Sequence, residues 1–231
     1  MDFIINGFVQ AFVLLSTGNP ETYAAIKVTV VVSSLSTLAS LLVGAPLGFL
    51  LGIGEFPGKK ALRLVVDSLL SFPTVVIGLM VYAFLTYRGP LGNMGLLFTM
   101  PGIAVGQFFL GLPIVVAMTA TAVETLDSRL KPTLMTLGAG PGQILITTLT
   151  EARFSVILAA VAAYGRIVSE IGISMMIGGN IKWHTRTITT AIALETGKGE
   201  FAMGVALGMV LMVIAFAVNL SLVRLRRKAG K

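Results

Sequence analysis

The chain reads as an all-α polytopic membrane protein with about five transmembrane helices, and three observations carry that reading. Of its 231 residues 55% are apolar and only 12% are charged, against about 25% charged in a soluble domain. Five apolar runs are long enough to cross a bilayer as helices. The basic residues gather between and after those runs, so the net charge of +7 belongs to membrane topology rather than to nucleic-acid binding.

A single membrane domain over 1–231 is expected, with no long polar linker and no visible repeat. Residues 3–16 are apolar but too short to cross, and Phe8, Phe12 and Leu15 share one helical face, which predicts an interfacial helix. Gly18-Asn19-Pro20 ends it, and Pro20-Glu21 suits the start of the next helix. The spans are expected at about 24–51, 62–85, 102–121, 154–177 and 201–223. Gly44, Pro46, Gly48, Pro73 and Pro113 inside these runs predict kinks rather than breaks, since neighbouring helices can satisfy the freed backbone groups. Met1-Asp2-Phe3 lacks a basic leader and no small-residue cleavage site follows promptly, so no signal peptide is expected.

Orientation follows from the charges. Lys59, Lys60, Arg63, Arg129, Lys131, Arg153, Arg224, Arg226, Arg227, Lys228 and Lys231 fall on one side of the five spans. Arg88, Lys182, Arg186 and Lys198 fall on the other, with Lys27 near the start of the first span. The positive-inside rule therefore places the N-terminus outside and the C-terminus in the cytoplasm. The basic tail is read as topology and anionic-lipid contact.

The loop over 127–150 then lies in the cytoplasm, and its residues suggest a shape. Lys131-Pro132 can start a short helix. Leu134, Met135, Thr136 and Leu137 continue it, and Gly138 can supply a left-handed cap. After Ala139, Gly140-Pro141-Gly142 makes a turn, and Gln143–Leu149 suits a second amphipathic helix. Such a unit is either a docking element or a plain helical connector.

The stretch resembles the E-A-A-x3-G-x9-I-x-L-P loop of ABC importer permeases, through Thr136-Leu137-Gly138-Ala139, Pro141 and Gln143. Pro132-Thr133-Leu134 stand where that pattern has E-A-A, and Thr148, Thr150 and Glu151 where it has I, L and P. "AYGRIVSEIGISMMIGGNI", "TRTITTAIALETGKGEFAMGVALG", "LTEAR" and "GEFPGKK" are similar to the molybdate and tungstate group, closest to its tungstate branch. The resemblance implies a type I, MetI-like permease fold and import of an oxyanion, foremost tungstate. Molybdate, phosphate or sulfate on the same architecture are the alternatives.

The resemblance also implies partners: a second copy of the chain, two ATP-binding subunits carrying ATP and magnesium, and an extracytoplasmic oxyanion-binding protein, all around a lipid bilayer. Leu134, Met135, Thr136, Leu137, Gly138, Ala139, Gly140, Pro141 and Gln143 would then be the ATPase-coupling residues. No cofactor is expected on this chain itself. Its residues agree with a separate ATPase, because no G-x-x-x-x-G-K-[ST] is present and Gly138-x-Gly140-x-Gly142 lacks the following Lys-Ser/Thr.

Within the fourth run, Arg166 and Glu170 are four residues apart on one helix face, with Ser169 beside them. Charges at membrane depth face a bundle interior or a cavity. The two either line an oxyanion route or form a structural ion pair, and the pair is the favoured reading because a neutralised Arg attracts an anion weakly. Ser169, Thr119 and Thr121 are candidate weak donors along a path, or else hydroxyls that join helices. Thr185–Leu194 predicts a short outer helix, with Trp183 as an interface anchor and His184 beside it.

Other functions are disfavoured. There is no cysteine and one histidine, which removes thiol nucleophiles, disulfides and two-histidine metal centres. General acid–base catalysis has few candidates, so an enzyme is not expected. A homo-oligomeric ion channel would need a selectivity ring or filter, and none is visible.

Overall fold

In the computed structural model, which describes residues 2–126 and 130–229, the regular elements are helices. They are α1 (Asp2–Ser16), α2 (Pro20–Ile53), α3 (Lys59–Leu70), α4 (Thr74–Leu85), α5 (Met100–Glu124), α6 (Leu130–Thr136), α7 (Pro141–Val168), α8 (Gly172–Gly178), α9 (Ile188–Lys198) and α10 (Phe201–Ala229). Four of them, α2, α5, α7 and α10, are each long and apolar enough to span, and α3 with α4 makes a fifth only if the bent pair counts as one. Arg129, Lys231 and the first residues of the expected loop, 127–129, lie outside the described residues.

The chain chemistry explains where the helices start. Asn19 Oδ1 accepts from the amides of Glu21 and Thr22, each at 3.1 Å, and Pro20 fits the first turn of α2. Thr99 Oγ1 does the same for α5, accepting from the Gly102 amide at 3.1 Å.

α5 is the central helix and packs against α2, α3, α4, α7 and α8. In lipid no hydrophobic gain draws one helix to another, so close packing must do it. Gly44, Gly48 and Gly52 line the α2 face toward α5. A Cβ on Gly48 would sit 2.5 Å from the Val116 carbonyl oxygen, and one on Gly52 2.7 Å from the Val123 Cβ. These glycines let two backbones approach, a role beyond the kinking expected of Gly44 and Gly48. Around this pair, Ile77, Val81, Leu110, Ile167, Ile173 and Ile177 knit α4, α5, α7 and α8 together. Ala25, Ile188, Ala191 and Leu207 knit α2, α9 and α10.

α1 packs along α10, with Ala11 fully buried and Phe8 and Phe12 turned outward. A Cβ on Gly7 would meet the Phe201 ring at 2.5 Å, so a glycine is needed at this crossing.

Two expected spans are different in the structure. Residues 62–85 are not one kinked helix, because α3 and α4 meet at 100° across Ser71-Phe72-Pro73. Pro73 lacks an amide hydrogen and disfavours a helical Phe72, and no residue of α3 is buried to resist the bend. α4 alone, at about 18 Å, is too short to cross the hydrocarbon. Its partner α3 carries Lys59, Arg63 and Asp67 along one stripe, which suits a membrane surface rather than a membrane interior.

The run 154–177 is likewise divided. α7 begins far earlier, at Pro141, and ends at Val168; the chain then breaks before α8. The expected separate helix Gln143–Leu149 is the first part of α7, because no Gly or Pro interrupts the chain between Gln143 and Tyr164.

Candidate functional site

On the side assigned to the cytoplasm, α6 is a small unit closed by its own backbone. Gly138 has φ +80°, its amide donates to the Met135 carbonyl at 3.1 Å, and the Ala139 amide donates to the Leu134 carbonyl at 2.9 Å. These two bonds form a Schellman motif, which needs a left-handed residue at Gly138. Thr136 Oγ1 donates to the Thr133 carbonyl at 2.8 Å. Across the turn, Gln143 Oε1 accepts from the Gly140 amide at 2.9 Å, fixing the entry into α7 at Pro141.

The sequence-predicted residues 134–143 are therefore gathered into one compact turn. Leu134 and Ala139 are half-buried, while Met135 is 60% and Leu137 77% exposed. Cβ atoms added at Gly138, Gly140 or Gly142 would meet nothing within 4 Å. The helix is thus capped at Gly138, apolar at its exposed side and open around its glycines.

At the other end of α7, Arg166 Nη1 donates to Glu170 Oε2 at 3.1 Å. The side chains differ in setting, with Glu170 4% and Arg166 44% exposed. Glu170 belongs to the break rather than to α7. Its Oε1 accepts from the Ile173 amide at 3.3 Å and so caps α8, while its backbone carbonyl accepts from Thr189 Oγ1 at 2.9 Å. Ser169 Oγ bonds back to the Arg166 carbonyl at 3.0 Å, within its own turn.

Thr119 and Thr121 do not join this group. Thr119 is fully buried and its Oγ1 reaches no hydrogen-bond partner among the described residues. Thr121 Oγ1 instead accepts from Arg63 Nη2 at 2.5 Å.

Three polar groupings are invisible to sequence reasoning. Gln107, buried in α5, accepts from Ser36 Oγ at 3.1 Å and donates to Ser174 Oγ at 3.1 Å, joining α2, α5 and α8. A single Gln in an apolar run was its only signal. On the outer side Arg186 is buried and its Nη1 pairs with Glu21 and, at 3.3 Å, with Glu195. Lys182 adds a pair to Glu21 at 2.6 Å, and Lys198 one to Glu195 at 3.1 Å. The third grouping joins α3 to the end of α5 and includes the Arg63–Thr121 bond above.

The threonine-rich segment forms the short helix α9, beginning at Ile188 rather than at Thr185, and its threonines pack inward. Thr185, Thr187, Thr189 and Thr190 are buried, and the Ile188 amide donates to Thr29 Oγ1 of α2 at 2.7 Å. Trp183 and His184 remain exposed at its start.

Comparison with known proteins places these features in context. Residues 44–231 match the family described as "Binding-protein-dependent transport system inner membrane component". The tungstate uptake system permease protein TupB of Campylobacter jejuni is 47% identical over 227 residues, covering 98% of this chain and 95% of that protein. TupB of Peptoclostridium acidaminophilum is 39% identical, covering 95% of this chain and 96% of its own length. The molybdenum transport system permease protein ModB of Azotobacter vinelandii is 33% identical, covering 90% and 96%. Among solved structures, an inward-facing MetNI methionine ABC transporter matches with a TM-score of 0.71 at 18% identity, covering 92% of this chain and 99% of that one.

Proposed function

Since the chain belongs to the family of binding-protein-dependent transport system inner membrane components, we propose that it is the membrane subunit of an ATP-driven importer that brings tungstate into the cytoplasm. It is a multi-pass transport subunit of the membrane, not an enzyme, and the family implies an ATPase and a substrate-binding protein as partners. The observation that carries tungstate is the chain-long identity to two tungstate permeases, above that to the molybdenum permease.

Two copies of the chain enclose the path, and two ATP-binding subunits, which hold ATP and magnesium, dock on Leu134, Met135, Thr136, Leu137, Gly138, Ala139, Gly140, Pro141 and Gln143. The capped α6 supports this role: a rigid turn with exposed Met135 and Leu137 transmits force better than a loose loop. Gly138 and Gly140 leave room for a partner surface to approach. Arg166 and Glu170 serve first as a brace that holds the end of α7 to α8. Ser169 stays within its own turn.

The test is reconstitution with the cognate ATPase and binding protein in vesicles. ATP-dependent uptake of tungstate, resistant to competing molybdate and sulfate, is the expected result, with native mass giving two copies of this chain. Uptake in which molybdate or sulfate displaces tungstate would reassign the substrate. Ion flux without ATPase would instead make the chain a channel.

A further inference from the structure

The amphipathic α3 has no buried residue, yet its first turn is tied to two other helices by a cluster of charges. Lys59 Nζ donates to the Gly52 carbonyl at the end of α2, at 3.2 Å, and lies 3.6 Å from both Glu55 and Glu124. Arg63 Nη2 donates to Thr121 Oγ1 at 2.5 Å, and its Nη1 lies 3.7 Å from Glu124 Oε2. Arg63 Nε also pairs with Asp67 at 3.1 Å, which presents the guanidinium toward α5. Glu124 is the last residue of α5. Two cations therefore sit where the carbonyl ends of α2 and α5 meet, which both helix dipoles favour. Beyond this cluster, Val66 of α3 packs against the apolar group of Leu51, Val116 and Ala120.

The position of the cluster gives it a task. α6 begins at Leu130, a few residues past Glu124. On the far side, α3 leads through the break at Ser71-Phe72-Pro73 into α4, and α4 packs against α8, the helix that Glu170 caps. A displacement of α6 can reach α4 through this cluster and α3, or through α5 and α7, which share a core with α4 and α8.

We propose that Lys59 and Arg63 with Glu124 form an ionic clamp that passes movement of α6 to the bent α3–α4 pair, so that ATP hydrolysis opens and closes the path. The clamp rests on the reading of α6 as the ATPase-docking element. Its three residues are positioning residues: they touch neither substrate nor nucleotide. Lying between two sites is not coupling, so the claim needs a coupling measurement.

The measurement is tungstate taken up per ATP hydrolysed, in the reconstituted complex, for Arg63→Gln, Glu124→Gln and the double variant. Lys60→Gln, a neighbour outside the cluster, is the control. Each single change is expected to lower uptake per ATP about tenfold while hydrolysis continues. The double variant is expected to fall by less than the product of the two losses, since both singles remove the Arg63–Glu124 contact. Unchanged uptake per ATP in the singles, or a double that multiplies their losses, overturns the clamp.

The chain has no cysteine, so a covalent replacement can be made cleanly. A short bismaleimide joining Arg63→Cys to Thr121→Cys is expected to restore uptake per ATP in a Glu124→Gln background. Failure to restore it in an assembled complex overturns the clamp, because only fold support would then have been lost. Gly138→Asp separates the two readings. Lost ATPase association in that variant, with normal coupling in Arg63→Gln, removes the clamp alone. Retained association and uptake in Gly138→Asp overturn the docking reading and the clamp with it.

Discussion

Gly48 and Arg166 show how differently single residues bear on this molecule. Gly48 has no side chain, and one placed there would strike the Val116 carbonyl and Thr119. Neither atom can swing away, since one is backbone and the other lies on a fully buried residue. Gly48→Leu is expected to force α2 and α5 apart and destabilise the fold by about 3 kcal/mol or more. Thermal unfolding in detergent checks this, and an unshifted midpoint would refute it. Arg166 is the contrary case. Its side chain is 44% exposed, and a Gln there can still donate to the buried Glu170 carboxylate, which also keeps the Ile173 amide. Arg166→Gln should therefore assemble normally and keep uptake within about fivefold of the parent. A larger loss from an assembled complex would make Arg166 part of the oxyanion route. Spacing made the pair legible in the sequence, because four residues are one helical turn. The sequence did not reveal that Glu170 stands in a break and caps α8, since only packing against Thr189 and Ile173 places it there.

Among the elements, α3 and α4 depart most from their sequence pattern. Hydropathy over 62–85 reads as one span, and a proline in a membrane helix is commonly absorbed as a kink. Here the neighbours favour the break: α4 is held by α8 and α5, whereas α3 is held at its first turn by Lys59 and Arg63. Pro73→Ala restores an amide and a helix-permissive Phe72. It is expected to lower tungstate uptake while leaving ATPase association intact, because a straightened span removes the bend. Accessibility of single cysteines at positions 69 and 75 before and after the change reports the geometry; an unaltered pattern would show that packing, not proline, sets the angle. α6 was the most legible element. Its cap depends on a local rule, a glycine able to take φ +80° after a short apolar helix. The lower half of α7 was less so, because Thr150, Glu151 and Arg153, which separate the expected helix Gln143–Leu149 from the expected span 154–177, are exposed residues of one continuous helix.

The whole bundle has an ionic cluster at each end and a largely apolar middle crossed by Gln107. The outer cluster joins the start of α2 to the segment around α9 through Arg186, which Glu21 and Glu195 share. Its members lie 165 and nine positions apart along the chain. Arg186→Gln leaves buried Glu195 and half-buried Glu21 with only the half-exposed Lys198 and Lys182 to offset them. Removing one partner of such a buried pair costs about 3–5 kcal/mol. The expected result is a lowered unfolding midpoint and faster amide exchange over 182–198, with the cytoplasmic end unaffected. Equal loosening at both ends would show that the two clusters are not independent supports. On the molecular scale the two clusters hold opposite ends of α2, and the one at Glu124 lies a few residues before the capped α6.

Sequence by itself determined the class and the glycine-capped turn of α6, and its charge asymmetry carries the expected orientation. Apolar run length, charge asymmetry and glycine capping are local properties, governed by bilayer thickness, by the cost of moving basic residues across it and by backbone sterics. Only the tertiary structure decided where the chain bends, which glycines bring helices together, and which charges pair. Those depend on residues far apart in sequence. Lys59 and Arg63 find Glu124, and Arg186 finds Glu21, only after α2 and α5 have packed and fixed the ends of the neighbouring helices.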